Sequence, residues 1–256
     1  MTVKYHTLFP AVYALEIDVS VNAAAAPAVG LKFDFEFQSG TRVHRKAVTI
    51  RRLVVAGWTG RDPVAVEKHI VELEALGVKR PASTPIFYRV SVARLTTQGV
   101  IEATGDASGG EVEYLLLKHD GRLWVGAGSD HTDRQVETYG VTVSKQMCDK
   151  LMATQFWAYD EVAPHWERLM LRSYVTESGR RSTYQDGTVA AMLPPQDLLA
   201  RYGADKMTDG TLMFCGTLAA HGGVRATPNF EFELEDPVLG RKISHGYRVI
   251  SLPILG

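Results

Sequence analysis

Residues 110–134, GEVEYLLLKHDGRLWVGAGSDHTDR, decide the fold and carry several of the polar side chains considered below. Residues 111–124 have the pattern of two strands joined at His119-Asp120-Gly121, because Asp-Gly is a strong signal for a tight hairpin turn. Strand alternation turns Val112, Tyr114 and Leu116 to the interior. The sequence therefore predicts a β-hairpin here.

Outward from the hairpin, strand patterns dominate. Alternating bursts at 13–19, 30–37 and 48–55, separated by turns such as Ser39-Gly40, predict hairpin-like β structure. Residues 210–217 and 230–252 have strand patterns, and the segment from 155 to 176 predicts a short helix or loop followed by a strand. We predict a β-rich α+β fold with a few short helices.

Two helices are predicted from their ends. Asp62-Pro63 supplies an N-cap and a proline at the first helical position, and Gly77 a C-terminal glycine, which predicts a helix over 63–76. Pro194-Pro195 precedes a second short helix at 196–202. The apolar stripe of the first helix consists of Val66, Ile70, Leu73 and Leu76.

Composition excludes several classes of protein. The 256 residues carry 28 basic and 29 acidic side chains, a net charge of −1, so no basic surface for nucleic acid is expected. Cys148 and Cys215 lack the spacing of a zinc finger or a disulfide framework. The start lacks a signal-peptide pattern, and Ala23–Ala26 is too short for a membrane span. We expect a cytoplasmic protein with no membrane partner.

Acidic side chains form the first candidate site. Glu111 and Glu113 lie two residues apart on one face of the predicted strand, and paired carboxylates suit Mg²⁺, Mn²⁺ or Ca²⁺. Asp130, in the loop expected after the second strand, would complete three ligands. The alternatives are a solvated strand face for the glutamates and a turn-forming or capping role for Asp130.

Three further segments are candidates. His69 and Glu72, at i and i+3 on the predicted helix, could form an oriented general base or a plain surface ion pair. Lys145 is a lone cation in its segment, and it is either a functional side chain of the site or a solvated surface lysine. Glycines around 210–217, ending in Cys215-Gly216-Thr217, either bring amides near a substrate or close a tight turn.

The order of these segments resembles the fumarylacetoacetate hydrolase superfamily over about residues 51–250. Val54–Thr59, His69-x-x-Glu72 and Pro85–Arg89 are similar to its early segments, and Glu111-x-Glu113 to its metal-binding pair. Asp130 and Arg134 resemble its Asn-Asp-x-x-x-Arg signature, with Ser129 in place of Asn. Lys145 and Thr217 fall where a lysine and a Thr-Gly-Thr follow. The pattern is similar to a divergent bacterial branch of unassigned function.

The resemblance implies a fumarylacetoacetate hydrolase-like β-roll, with residues 1–50 as an N-terminal β subregion and 51–256 as the catalytic domain. It also implies a homodimer and a divalent metal, Mg²⁺ or Mn²⁺, with Ca²⁺ possible in crystals. Glu111, Glu113 and Asp130 would hold the metal. His69, oriented by Glu72, would activate water, while Lys145, Arg134 and the Thr217 region would bind the substrate or its oxyanion.

The expected activity is hydrolysis of a carbon–carbon bond in a small β-dicarbonyl or acylpyruvate-like oxo acid, as in catabolism. The same metal site would serve an oxo-acid decarboxylase, isomerase or hydratase, because each reaction passes through an enolate or enol. A non-catalytic small-molecule binder on this scaffold is a further alternative. A purely structural protein would leave the three carboxylates without a metal.

Overall fold

The structure, a computed structural model, describes residues 29–75 and 77–255. Its strands, numbered in chain order, are β1 Leu31–Ser39, β2 Arg42–Ile50, β3 Arg52–Gly57, β4 Ile86–Val90, β5 Leu95–Thr96, β6 Val100–Thr104, β7 Ser108–Gly109, β8 Val112–His119, β9 Arg122–Asp130, β10 Thr132–Asp133, β11 Lys150–Met152, β12 Gln155–Ala158, β13 Met170–Glu177, β14 Arg180–Thr188, β15 Thr211–Thr217, β16 Asn229–Asp236 and β17 Arg241–Leu252.

The helices are few and short. The α-helices are α1 Pro63–Ala75, α2 Arg134–Tyr139, α3 Val141–Met147, α4 Tyr159–Val162 and α5 Pro195–Tyr202. Single turns of 3₁₀ helix occur at Val92–Arg94, Val189–Ala191 and Ala204–Lys206, with a longer one at Ala163–Arg168. Within the described residues, no helix combines the length and the apolar character that a membrane span requires.

Two large sheets organise the chain. The ten-stranded sheet has the order β2-β1-β12-β9-β8-β15-β3-β4, with β11 paired to β9 and β5 paired to β11. The five-stranded sheet has the order β14-β13-β16-β17-β6, and β7 and β10 form a small pair. The strands β8 and β9 thus lie inside the larger sheet, where both of their faces are covered.

One core lies on each face of the ten-stranded sheet. Val112, Tyr114 and Leu116 of β8 pack into the core shared with the five-stranded sheet. Leu115 and Leu117, on the opposite face, pack with β1, β2 and β12. The inward direction predicted for Val112, Tyr114 and Leu116 is confirmed. The opposite face of β8 is also buried from Val112 to Leu117, so the alternative of a solvated strand face is wrong there.

The predicted hairpin is confirmed. Asp120 and Gly121 both have positive φ, 50° and 69°, which is the backbone of a two-residue hairpin turn. Val112 is paired with Ser129 and Glu113 with Gly128 across β8 and β9. Asp130 therefore belongs to the end of β9, and its expected place in a loop is wrong.

Close packing explains why β9 continues through its glycines. A Cβ on Gly126 would lie 2.5 Å from the ring of Phe156, and one on Gly128 would lie 2.6 Å from the carbonyl oxygen of Leu151. These glycines let β11 and β12 approach β9 closely, whereas glycine usually weakens a strand or marks a turn. The strand is longer than its sequence suggests for this reason.

Other predicted elements are found at the expected places. The helix expected over 63–76 is α1, in which Ile70 is buried and Val66 and Leu73 are half-buried. The turn at Ser39-Gly40 and the elements at 196–202, 210–217 and 230–252 are also confirmed. The burst at 13–19, Leu76 and most of the 1–50 subregion lie outside the described residues. Its described part, β1 and β2, joins the ten-stranded sheet.

Candidate metal centre

Three carboxyl groups meet where β8 begins and β9 ends. Oxygens of Glu111, Glu113 and Asp130 lie within 4.8 Å of one another. The antiparallel register brings them together, since the Asp130 amide donates to the carbonyl oxygen of Glu111 across the pair. Glu113 is only 2% exposed and Asp130 is 0% exposed. The sequence-predicted ligand set therefore converges at one place.

Asp130 lies between two lysine side chains. Lys145 of α3 donates a short hydrogen bond to Oδ2, and Lys150 Nζ lies 2.9 Å from Oδ1. Lys150 is directly opposite Asp130 in the register of β11 and β9, and it also donates to the His131 carbonyl oxygen at 2.6 Å. Burial alone would raise the pKa of Asp130, but the two lysines lower it well below its usual range. Asp130 is therefore an anion.

Glu113 has the opposite electrostatic environment. Burial, together with the negative charge of Asp130, raises the pKa of Glu113 well above its usual range. One partner is the Gly216 amide, which donates to Oε2 at 2.7 Å. Gly216 has φ 99°, and a Cβ there would lie 1.7 Å from Thr59 Oγ1, so this close approach requires glycine. The positive charge of Lys145 opposes this rise only in part, so the environment of Glu113 disfavours its charged form when no metal is bound.

Glu111 forms the more accessible side of the centre. Arg134 Nη1 donates to Glu111 Oε1 at 2.9 Å and lies 3.4 Å from Glu137 Oε2. The side chains of Arg134, Glu111 and Glu137 are 15%, 18% and 17% exposed. Burial raises the pKa of Glu137, although Arg134 partly opposes this. Arg134, predicted to bind substrate, is thus paired with a candidate metal ligand.

The donor set fits a divalent cation. Hard oxygen atoms are what Mg²⁺ and Mn²⁺ prefer, and three carboxylates leave coordination positions for water or substrate. Four carboxyl groups, including Glu137, adjoin three cationic groups, Arg134, Lys145 and Lys150. The raised pKa of Glu113 indicates that this balance lacks positive charge beside it. A divalent cation would take the place of that proton.

Lys145 is buried and charged, so solvation does not explain it. Its side chain is 7% exposed, and its ammonium lies 5.9 Å from the centre of the Tyr88 ring. Burial alone would lower the pKa of Lys145, but Asp130, Glu111 and Glu137 raise it. The residue therefore places a permanent positive charge at the carboxylates.

His69 and Glu72 lie apart from this centre, on the outer side of α1. Their side chains are 55% and 59% exposed, and His69 Nδ1 lies 3.8 Å from Glu72 Oε2. The His69 ring is 5.8 Å from that of Trp58, whose side chain interacts with Tyr88, the residue next to Lys145. The pair is not among the side chains that converge on the three carboxylates, and a catalytic role for it stays a prediction.

The Thr217 hydroxyl is already engaged. It donates to the Val112 carbonyl oxygen at 2.8 Å and accepts from Gln185 Nε2 at 2.8 Å. These bonds hold the end of β15 against the start of β8. A contact of Thr217 with substrate stays a prediction.

Sequence patterns did not indicate Lys150 or Glu137, and they left open whether the Gly216 amide approaches a substrate or the glycine closes a tight turn. Lys150 lies five residues after Lys145 and directly before the apolar Leu151-Met152-Ala153, and a fully buried lysine needs an anionic partner. Glu137 follows Arg134 by three residues on α2, which is the spacing of a helical ion pair. The Glu137 signal is present in the sequence, whereas the burial of Lys150 and the direction of the Gly216 amide depend on tertiary packing.

Comparison with known proteins identifies a family and a fold. The family model described as "Protein of unknown function (DUF2848)" matches residues 56–247. That range includes the three carboxylates, both lysines, and the His69–Glu72 pair. A search of the curated proteins gives no match.

Solved structures share the fold at low sequence identity. A candidate fumarylpyruvate hydrolase from Burkholderia cenocepacia has a TM-score of 0.55 and 16% identity, covering 90% of this chain and 100% of that one. The yeast protein ynq8, of the fumarylacetoacetate hydrolase family, has a TM-score of 0.55 and 13% sequence identity. The match covers 79% of this chain and 93% of that one. A 2-keto-3-deoxy-D-arabinonate dehydratase complexed with magnesium and 2,5-dioxopentanoate has a TM-score of 0.55 and 11% sequence identity. The match covers 84% of this chain and 79% of that one. The predicted fold is confirmed.

Proposed function

The chain belongs to the DUF2848 family, and we propose that it is a divalent-metal-dependent enzyme acting on a small oxo acid. The observation that supports this is the convergence of Glu111, Glu113 and Asp130 within 4.8 Å. Among proteins of the same fold, one is a dehydratase complexed with magnesium and a dioxo compound, 2,5-dioxopentanoate. We propose Mg²⁺ or Mn²⁺ as the cofactor.

The reaction we propose is hydrolysis of a carbon–carbon bond in an acylpyruvate or a similar β-dicarbonyl acid. A bound divalent cation would act as a Lewis acid that lowers the energy of the enolate leaving group. His69, oriented by Glu72, would take a proton from water as it attacks the distal carbonyl carbon. The bond from that carbon to the neighbouring CH₂ would break, and its electron pair would pass to the oxo-acid fragment.

The cationic side chains would hold the substrate. Lys145 has a permanent charge beside the carboxylates, and it would attract the substrate carboxylate or the oxyanion formed by water attack. Arg134 is half-buried next to Glu111, where its guanidinium would fix one end of a small dianion.

Exposure of the His69–Glu72 pair favours a second candidate, an oxo-acid decarboxylase, dehydratase or isomerase. The pair is more than half exposed and is not in contact with the carboxylates. Decarboxylation needs no activated water, so the metal ligands and Lys145 would suffice. In that case His69→Ala would leave turnover intact.

Metal binding and a substrate panel test the proposal together. Metal-free protein is titrated with Mn²⁺, and we expect Glu113→Gln to lose binding while Glu233→Gln, a buried glutamate outside the site, keeps it. Loss of diketone absorbance with acylpyruvates would support the hydrolase, and CO₂ release from oxaloacetate would support the decarboxylase. Full metal content and activity in Glu113→Gln would show the assignment to be wrong.

A further inference from the structure

Tyr247, on β17 of the five-stranded sheet, reaches the carboxylate centre from the opposite sheet. Its hydroxyl lies 2.9 Å from Ser129 Oγ and 2.9 Å from His131 Nδ1. These two residues are the neighbours of Asp130 on either side in the chain. A single hydroxyl thus holds both ends of a three-residue segment whose middle residue is a candidate metal ligand.

Ser129 extends this contact to a second ligand. Its Oγ accepts a hydrogen bond from the Glu111 amide at 3.3 Å while it contacts Tyr247. The main chain of Glu111 and the main chain around Asp130 are therefore tied to the same tyrosine. This connection joins the segments that carry two of the three carboxylates, in addition to the β8–β9 pairing.

The residues of this connection are buried. Ser129 and His131 are 0% exposed and Tyr247 is 5% exposed. The His131 ring nitrogen and the Tyr247 hydroxyl share their hydrogen bond inside this buried region. Buried hydrogen bonds of this kind have no water to replace them when one partner is removed.

We propose that Tyr247 is a positioning residue of the metal centre, which sets the separation of Asp130 and Glu111 through Ser129 and His131. This role rests on the proposed function, because it has meaning only if the carboxylates bind a metal. Residues that orient metal ligands from outside typically change metal affinity by about 10- to 100-fold when altered. Tyr247 would act on metal affinity and on ligand geometry through Ser129 and His131, as a positioning residue and not as a ligand.

Tyr184 provides a matched control. Both tyrosine rings pack against Phe230, with centroid distances of 6.1 Å for Tyr184 and 5.7 Å for Tyr247. The Tyr184 hydroxyl accepts a hydrogen bond from the Arg225 amide at 3.2 Å, away from the residues flanking Asp130. Tyr184→Phe and Tyr247→Phe thus remove the same atom from neighbouring positions of one core.

The test is titration of metal-free full-length protein with Mn²⁺, followed by electron paramagnetic resonance. We expect Tyr247→Phe to weaken Mn²⁺ binding at least about tenfold and to alter the spectrum of the bound ion. Tyr184→Phe should match the wild type in both respects. Ser129→Ala should weaken binding by a similar factor, and the double variant by less than the product of the two factors, because the residues act through one connection.

Urea unfolding separates positioning from general stability. If Tyr247→Phe and Tyr184→Phe lose similar stability but only the first loses affinity, Tyr247 positions the ligands. Equal Mn²⁺ affinity in Tyr247→Phe, Ser129→Ala and wild type would overturn the role while leaving the proposed function intact. A wild type that binds no Mn²⁺ would overturn both. Should Tyr247→Phe not fold, Ser129→Ala alone decides the outcome.

Discussion

The carboxylate centre and the His69–Glu72 pair use similar ionisable groups in opposite surroundings. Glu113 and Asp130 are buried between strands, whereas His69 and Glu72 are more than half exposed on a helix. Both were candidates because of short spacings in the sequence. In the buried centre, burial and neighbouring charges shift pKa values strongly, while solvent screens the exposed pair. Location in the fold, more than residue type, therefore decides how much each group affects stability and chemistry.

The largest difference should appear when one buried charge is removed. Asp130→Asn leaves Lys145 and Lys150 without their shared anion, so we expect the free energy of unfolding to fall by about 3–5 kcal/mol. The control is Asp120→Asn, since Asp120 pairs with Lys46 at 2.5 Å on the surface. That variant should change the free energy of unfolding far less, because solvent screens an exposed ion pair. Similar values in urea unfolding would remove the contrast between the two regions.

Metal binding should produce the next effect. At a free Mn²⁺ concentration of 100 times Kd, the folded state gains about 2.7 kcal/mol. We expect this gain in wild type and in His69→Ala, and its loss in Glu113→Gln. Thermal unfolding with Mn²⁺ and with EDTA measures it. A gain that disappears in His69→Ala would place the histidine among the metal ligands and would contradict the separation described above.

The pH dependence of the metal-free protein should be smaller. The folded state raises the pKa of Glu113, so it binds this proton more tightly than the unfolded chain does. The Glu113 contribution to stability is therefore greatest at low pH, and it declines as pH rises from the ordinary glutamate value through the raised one. In EDTA, the difference in unfolding free energy between wild type and Glu113→Gln should fall across that range. The pH dependence that Asp130 contributes has the opposite sign. Because its pKa is lowered in the folded state, it adds stability above the ordinary aspartate pKa, and this stability is lost as the pH falls.

The sequence predicted where most strands lie better than which residues from other parts of the chain pack beside them. The hairpin and α1 followed from alternation, turn and cap signals, and the pairing of Glu111 with Glu113 followed from their spacing, but Asp130 was expected in a loop and lies at the end of β9. The full length of β9 did not follow, because Gly126 and Gly128 signal a turn until Phe156 and Leu151 are known to pack on them. Lys150 and Tyr247 come from strands distant in sequence, and no local pattern places them beside Asp130. Long-range pairing decides which polar residues share a site.

The smallest effect on stability is expected for His69→Ala, and it gives the sharpest test of the exposed pair. An exposed ion pair contributes about 0.2–1 kcal/mol, so urea unfolding of His69→Ala and Glu72→Ala should remain close to wild type. Mn²⁺ affinity should be unchanged in both.

If His69 is the general base, turnover of an acylpyruvate should nevertheless fall about 10²-fold or more at constant Kd for the metal. Lys68→Ala is the control, because Lys68 lies on the same helix and is 3.9 Å from Glu72. A loss confined to His69→Ala and Glu72→Ala would join the two regions in one reaction, while unchanged turnover would leave the buried centre to act without the helix.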